Sequence, residues 1–255
     1  MRIVSYNILT GGEGRADPLA EVLLAQRADV IALVEAEDPA VLERIARRLK
    51  MDYVQAMGNK SGASALLSRF PIRDSINHAL LTQGISKSLL QASVDEPGGQ
   101  RWNFGVVHLH ARATEADETQ REAELQVVLK AFKPLREAAT PHFLLGDFNS
   151  NSPVQQIDLA KCKPSTREHA AANGGAIPRR VVQELLNAGY ADTYQLHSPE
   201  LAKTRGTFTT QFPGQRVDYI FAHSLDTKRV KSAWIETDRL ATYASDHYPI
   251  GLEIL

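Results

Sequence analysis

The chain has 255 residues, of which 43% are hydrophobic, 23% charged and 7% aromatic, a make-up that excludes a disordered or fibrous protein and predicts a folded globular one. With 29 Lys and Arg against 30 Asp and Glu the formal net charge is -1, so no global basic field draws it onto nucleic acid or an anionic membrane, and any polyanion site must be local. The single cysteine, Cys162, excludes an internal disulfide and a thiolate metal cluster; no stretch reaches the roughly 20 apolar residues of a membrane helix, and MRIVSYNIL lacks the apolar core of a signal peptide, so the expectation is a cytoplasmic protein, provided no leader precedes Met1.

Ile3 to Leu9 is short, rich in β-branched residues and halted by Gly11 and Gly12, which predicts a strand with Asn7 near its carboxyl end. Asp17-Pro18 predicts a helix start with a capping carboxylate, followed at helical spacing by Leu19, Val22, Leu23 and Gln26. The continuous apolar run Val30 to Val34 predicts a buried strand, and Glu35 sits where it stops. Asp38-Pro39 repeats the helix-start signal, with Val41, Leu42, Ile45 and Leu49 as the apolar stripe. Beyond Lys50, four segments read as strands: Tyr53 to Ala56, Ser64 to Ser68, Leu89 to Val94 and Trp102 to His110. A long helix from about Glu115 to Arg136 leads into the apolar strand His142 to Leu145, and GDFNS follows directly. Ser150 to Ala176 is polar and without clear periodicity, predicting a long loop with room for one short helix and a candidate substrate-shaping insertion. Pro178 opens a helix carrying Val181, Val182, Leu185 and Leu186, and the strands Arg216 to Ala222 and Tyr248 to Ile254 complete the chain.

Polar residues recur at one kind of place, the ends of apolar strands: Asn7, Glu35, His108 with His110, Asp147 with Asn149, Asp218, and Asp246 with His247. Strand ends at one edge of a sheet can converge, and this set would then form a hard-cation site facing a bound phosphate. Oxygen donors without an available cysteine favour magnesium, then manganese, over zinc. His108 and His247 are left free to move protons or stabilise charge. Each residue alone has a plainer explanation, a turn at Asn7 or in GDFN and helix-cap electrostatics at Glu35. Asp218 inside an apolar strand is harder to explain that way, because an inward carboxylate needs a partner.

Taken in order, SYNIL, VIALVEAE, SALLSRFPI, VVHLHA, LLGDFNS, GTFTT, RVDYIFAH and SDHYPI resemble the endonuclease/exonuclease/phosphatase family, which includes deoxyribonuclease-I-like enzymes, abasic-site endonucleases, neutral sphingomyelinases and inositol polyphosphate 5-phosphatases. The resemblance runs from residue 3 to about residue 250 and implies one such domain over 1–255. It implies a four-layered α/β/β/α sandwich, two mixed sheets packed face to face with helices outside. The implied activity is metal-dependent hydrolysis of a phosphate ester, of phosphodiesterase or nuclease type, by water attack at phosphorus. The implied metal-holding residues are Glu35, Asn7 beside it, and Asp246. Asp147 would orient or deprotonate the water, and Asn149 would donate to a phosphoryl oxygen. Asp218 would accept from His247, fixing its tautomer and raising its pKa so that a cationic ring meets the phosphate. His108 would protonate the leaving oxygen or stabilise its charge, with His110, two residues along the same strand face, as competitor. Val34 stands where many members have glutamine and Ser64 where asparagine is common, departures that bear on substrate and not on hydrolysis.

Two other metallohydrolase classes share fragments of this pattern. GDFN resembles the Gly-Asp turn of dinuclear metallophosphatases, whose later Gly-Asn-His motif is absent, and the His108-Leu109-His110 pair suggests a His-x-His-x-Asp-His cluster in which Arg112 stands where the aspartate belongs. A non-catalytic binding or scaffold member of the same fold is the alternative from a different class; loss of an acidic ligand would signal it, and all are present. The substrate is open between nucleic acid, a lipid head group and a small phosphodiester. A nuclease needs cations along its rim, for which Arg69, Arg73, Arg112 and Arg121 are candidates. Nothing indicates a membrane or a protein partner.

Overall fold

Twelve strands form two six-stranded sheets in the computed structural model, which describes residues 1–59 and 61–255. In chain order they are β1 (Arg2–Asn7), β2 (Val30–Val34), β3 (Asp52–Met57), β4 (Ala63–Ser68), β5 (Ile72–Asn77), β6 (Ser88–Asp95), β7 (Arg101–His108), β8 (His142–Asp147), β9 (Ala191–Asp192), β10 (Asp218–His223), β11 (Val230–Ile235) and β12 (Ile250–Ile254). The first sheet runs β11-β12-β1-β2-β4-β3 and the second β5-β6-β7-β8-β10-β9. Each contains one parallel pair, β1 with β2 and β7 with β8, among otherwise antiparallel neighbours. A parallel pair needs a crossover, and the helices Ala16–Gln26 and Glu115–Ala131 supply the two. Its strands also end at the same edge, so each sheet delivers two neighbouring chain ends to one place.

The sheets pack face to face. On β2 the side chains of Val30, Ala32 and Val34 enter the central layer, where they join Leu90, Ala92, Phe104 and Phe143 of the second sheet. Ile31 and Leu33 face the other way, against Leu19, Leu23, Leu42 and Ile45 of the outer helices. Burial on both faces explains why this strand is apolar at every position. On the far side of the second sheet, Val107, Leu144 and Phe221 pack against Leu125, Val128 and Leu185. The helix–sheet–sheet–helix order is therefore the one the sequence resemblance implies.

Several element boundaries differ from expectation. Asp17 lies inside the Ala16–Gln26 helix instead of capping it, and ion-pairs with Arg44 and Arg48 of the next helix. Asp38 caps its helix as expected, accepting from the backbone N–H groups of Ala40 and Val41. The long helix expected to Arg136 ends at Ala131 and a short one spans Lys133–Glu137, with Pro134 unable to supply the N–H that would continue the first. The strand starting at Trp102 stops at His108, before His110. The Ser150 to Ala176 stretch holds a nine-residue helix, Pro164–Ala172, and a 3-10 turn, Leu159–Lys161. The strands β5, β9 and β11 were not anticipated; β5 is an edge strand whose Arg-Asp-Ser stretch is exposed, so it carries no apolar alternation.

Gly146, immediately before Asp147, has φ +140°, and a Cβ there would stand 2.0 Å from the Val107 carbonyl oxygen. Glycine is required because β7 and β8 approach each other at that point without room for a side chain. Gly146→Ala is expected to cost about 2–4 kcal/mol, combining an unfavourable backbone conformation with overpacking. Urea unfolding measures this, and a loss under about 1 kcal/mol would refute the tight approach.

Candidate active site

Strand register builds the site. His108 of β7 pairs with Asp147 of β8, and Asp147 pairs with Asp218 of β10, so three functional residues lie side by side across adjacent strands and share a face. In the other sheet Asn7 pairs with Val34, and Glu35 follows at once. Glu35 takes φ +56°, the left-handed region that a non-glycine residue occupies at a cost, which turns the chain out of β2. Its Oε2 accepts from the Thr10 N–H at 2.7 Å. Ser245 ties the segment before β12 to the end of β1 by donating to the Asn7 carbonyl at 2.7 Å, which brings Asp246 and His247 alongside.

Asn7 joins the two sheets. Its amide nitrogen lies 3.3 Å from Glu35 Oε1, 3.1 Å from Asp147 Oδ2 and 3.4 Å from His247 Nε2. His247 Nδ1 lies 2.9 Å from Asp218 Oδ2, while His108 Nε2 is 3.6 Å from Asp147 Oδ2 and 4.0 Å from Glu35 Oε1. Asp147 Oδ1 accepts from the Asn149 N–H at 2.9 Å. Asn149 reaches that position in the left-handed region, at φ +50°, which asparagine tolerates well.

Burial acts on the charged groups in opposite senses. It pushes the Asp147 carboxyl up, and the Asp218 charge adds to this, to about 7 despite the counter-pull of His247. For His247 burial opposes the cation, but the charge and hydrogen bond of Asp218, with Asp147 and Asp246 behind it, outweigh burial and raise the ring to about 10. His108 is driven down to about 3 by burial, in spite of the Glu35 charge, and is neutral near pH 7. Burial would raise Glu35, and the His108 ring, the Thr10 N–H and His247 together leave it lowered. Asp246 is raised by burial and by Glu35 and Asp218, and its buried Oδ1 has no hydrogen-bond partner; Asp218 Oδ1 has none either.

The eight residues Asn7, Glu35, His108, Asp147, Asn149, Asp218, Asp246 and His247 thus occupy one region, most of them around a cavity of about 240 Å³. His110 does not join them: its Nε2 is 2.8 Å from Asp117 Oδ1, and its backbone N–H donates to Glu124. Asn7, expected to offer a metal its oxygen, instead turns its amide nitrogen to the carboxylates while its oxygen accepts from the Leu9 N–H at 3.0 Å. Asn149 commits one amide N–H to the Leu109 carbonyl at 3.0 Å, which leaves its second amide hydrogen without a bond to the described residues. The expected cationic rim is corrected as well. Arg121 is fully buried in an ion pair with Glu118, Arg73 pairs with Asp95, and the Arg69 guanidinium donates to the Ala28 carbonyl; only Arg112 borders the cavity.

Of the lining residues that the sequence did not mark, two are linked to His247, one directly and one through the other. The Phe208 ring packs on His247 at 4.5 Å between centroids, and the Lys163 ammonium lies 4.3 Å over Phe208. Phe208 stands within the GTFTT motif, but Lys163 belongs to the aperiodic insertion, where no local pattern marks it. Asp147, Asp218 and His247 bring ligand-type atoms within 4.8 Å of one another. Glu35 and Asp246 bring two further carboxylates to the same cavity.

A two-sheet sandwich whose strand ends gather acids and two differently poised imidazoles defines a deoxyribonuclease-I-like, metal-dependent phosphoesterase. The model of the endonuclease/exonuclease/phosphatase family matches residues 4–247, and the chain belongs to that family. Among solved structures, it superposes on a variant of the 3′ phosphatase NExo from Neisseria bound to a product DNA hairpin (TM-score 0.72, 18% identity, covering 100% of this chain and 99% of that one). An AP endonuclease from Archaeoglobus fulgidus (0.71, 17%, 100% and 99%) and a humanized D. rerio TDP2 (0.69, 21%, 100% and 98%) share the same fold. A sequence comparison with curated proteins gave no match. No described helix is long and apolar enough to cross a membrane.

The raised His247 makes a prediction about stability. An unfolded histidine titrates near 6.5 and this one near 10, so its ion pair with Asp218 contributes stability that is fully present below pH 6.5 and lost as pH climbs to 10. In EDTA, Asp218→Asn should melt about 5–15 °C below wild type at pH 6.5, with the gap closing towards pH 10. A gap that stays constant across that range would show that the pair does not hold the imidazole charged.

Proposed function

We propose that the chain is a magnesium-dependent phosphodiesterase of nuclease type in which Asp147 activates water and His247 meets the phosphoryl group as a cation. The observation that supports this best is the gathering, from strand ends of both sheets, of four carboxylates, Glu35, Asp147, Asp218 and Asp246, around one imidazole held positive and one held neutral. One positive ring does not balance four acids, and the buried Asp246 Oδ1, 3.9 Å from His247 Nε2, has no hydrogen-bond partner among the described residues, so the residues fit a hard cation. Glu35 and Asp246 would hold it, with Asn7 contributing its oxygen once the amide turns over. When bound, a magnesium ion neutralises phosphoryl oxygens and stabilises the leaving alkoxide.

The chain's own groups supply the remaining chemistry. With its carboxyl raised to about 7 and one oxygen fixed by the Asn149 N–H, Asp147 is suited to take a proton from water near neutral pH. Asp218 accepts from His247 Nδ1, which leaves the Nε2–H as the donor available to a phosphoryl oxygen. His108, lowered to about 3, is a poor proton donor as a cation; as a neutral ring it can steady a developing charge by hydrogen bonding. This favours charge stabilisation over protonation of the leaving oxygen, and it favours His108 over His110, which is occupied by Asp117. A scaffold role would leave the carboxylate cluster as an uncompensated cost.

Hydrolysis of bis-p-nitrophenyl phosphate and of plasmid DNA, each with magnesium, with manganese and with EDTA, tests the proposal. Activity should require the metal, and Asp147→Asn and His247→Gln should each lower kcat on the order of 10²- to 10³-fold while the protein remains folded. Near wild-type turnover in either variant would defeat the assignment of that residue.

A further inference from the structure

A second groove, of about 370 Å³, adjoins the catalytic cavity and shares Lys163 and Asp246 with it. One wall is the turn at Thr209 to Phe212 and the other is the helix Arg239–Ala244. Of the large hydrophobic side chains left exposed among the described residues, the two aromatic ones are Phe212, 39% exposed, and Tyr243, 69% exposed, and both line this groove. The walls are tied together and to the site: Thr210 Oγ1 donates to the carbonyls of Thr242 and Ser245, and the Thr210 N–H donates to the Asp246 carbonyl at 2.9 Å. Lys163, half-buried with its ammonium over Phe208, forms no ion pair with the described residues. Arg15, which donates to the Ala244 carbonyl, is a second cation lining the groove, and the Arg239 guanidinium sits 5.9 Å over the Tyr243 ring.

We propose that this groove is a nucleoside subsite, where a heterocyclic base stacks against Phe212 and Tyr243 while its phosphate passes Lys163 and Asp246 into the catalytic cavity. The proposal rests on the phosphodiesterase reading above and names its substrate class, a nucleotide phosphodiester presented as a single strand or a frayed end. Two exposed aromatic faces recognise any base, whereas an apolar lipid tail would not need the adjoining unpaired ammonium. A base must leave a duplex stack to lie there, and the near-neutral charge of the chain agrees with contact to one or two phosphates instead of a long duplex track.

Two esters with the same leaving group test it, thymidine 5′-(p-nitrophenyl phosphate) and methyl p-nitrophenyl phosphate, each hydrolysed in magnesium. The wild type should favour the nucleoside ester by about 100-fold in kcat/KM, and Phe212→Ala and Tyr243→Ala should each cut that preference about tenfold, through KM. Lys163→Met should lower kcat/KM for both esters and keep their ratio. Hydrolysis of both esters with a wild-type ratio within twofold, or a ratio unmoved by the aromatic variants, overturns the subsite and leaves the phosphodiesterase reading standing. If neither ester is hydrolysed, the phosphodiesterase reading fails, and calorimetry with magnesium decides the subsite separately. Thymidine 5′-monophosphate binding more tightly than ribose 5-phosphate, with the advantage lost in Phe212→Ala, supports the subsite; equal binding of the two overturns it.

Discussion

The Asp147 carboxyl group is buried beside another aspartate, within reach of two imidazoles, and much of the fold keeps it there. Backbone pairing fixes it between His108 and Asp218, and the absence of a side chain at Gly146 lets β7 and β8 close up immediately before it. Phe148, just after it, is buried edge-on against Tyr219 and Phe221, and its N–H bonds to the Val217 carbonyl. Asn7 reaches across from the other sheet to hold its second oxygen. A carboxylate in such a place is unfavourable by itself, because burial and a like charge both resist ionisation. A site that destabilises one ionised acid in this way stores affinity for a proton or a metal cation.

The two histidines show how position and not residue type sets the chemistry. Both are buried, yet Asp218 stands directly against the Nδ1 of His247, while His108 Nδ1 has no hydrogen-bond partner among the described residues. The hydrogen-bonded carboxylate outweighs the cost of desolvation for one ring, and for the other nothing does. One histidine is thereby positive near neutral pH and the other a neutral dipole, so one cluster holds the same side chain in two charge states.

What the sequence makes legible follows from what is local. Val30 to Val34 and His142 to Leu145 announce buried strands because both their faces are covered, and the polar residue at the end of each is conspicuous against that run. Since both sheets place a parallel pair near the centre, strand ends that are far apart in sequence meet, and the site residues could be named before their distances were known. The edge strand β5 and the two-residue β9 gave no such signal, as neither is apolar on a consistent face. Arg121 departs from expectation for a related reason: charge suggests solvent, but this guanidinium is satisfied internally by Glu118 and by the carbonyls of His110 and Arg112. Choosing between His108 and His110 required the end of β7 and the side-chain partner Asp117, neither of which a single sequence supplies.

The catalytic cluster and the substrate-facing surface are built by different means. Asn7, Glu35, His108, Asp147 and Asp218 stand at the ends of strands fixed by backbone hydrogen bonds, while Asp246 and His247 lie before β12 and are tied to β1 through Ser245. Lys163, Ser165 and His169 reach the cavity from an insertion held to the framework chiefly by side-chain bonds, among them Thr166 to Gln215 and Asn173 to the Ala113 carbonyl. The register of β7, β8 and β10 does not pass through residues 150–176, which instead brace the start of β10 from outside, Gln155 accepting from the Arg216 N–H and the Ser150 carbonyl accepting from the Tyr219 hydroxyl. Solved structures less than a quarter identical to this chain share its architecture from end to end, while the residues proposed to meet the substrate, an aperiodic lysine and two exposed aromatic rings, lie outside the strand-end motifs that carry the family resemblance.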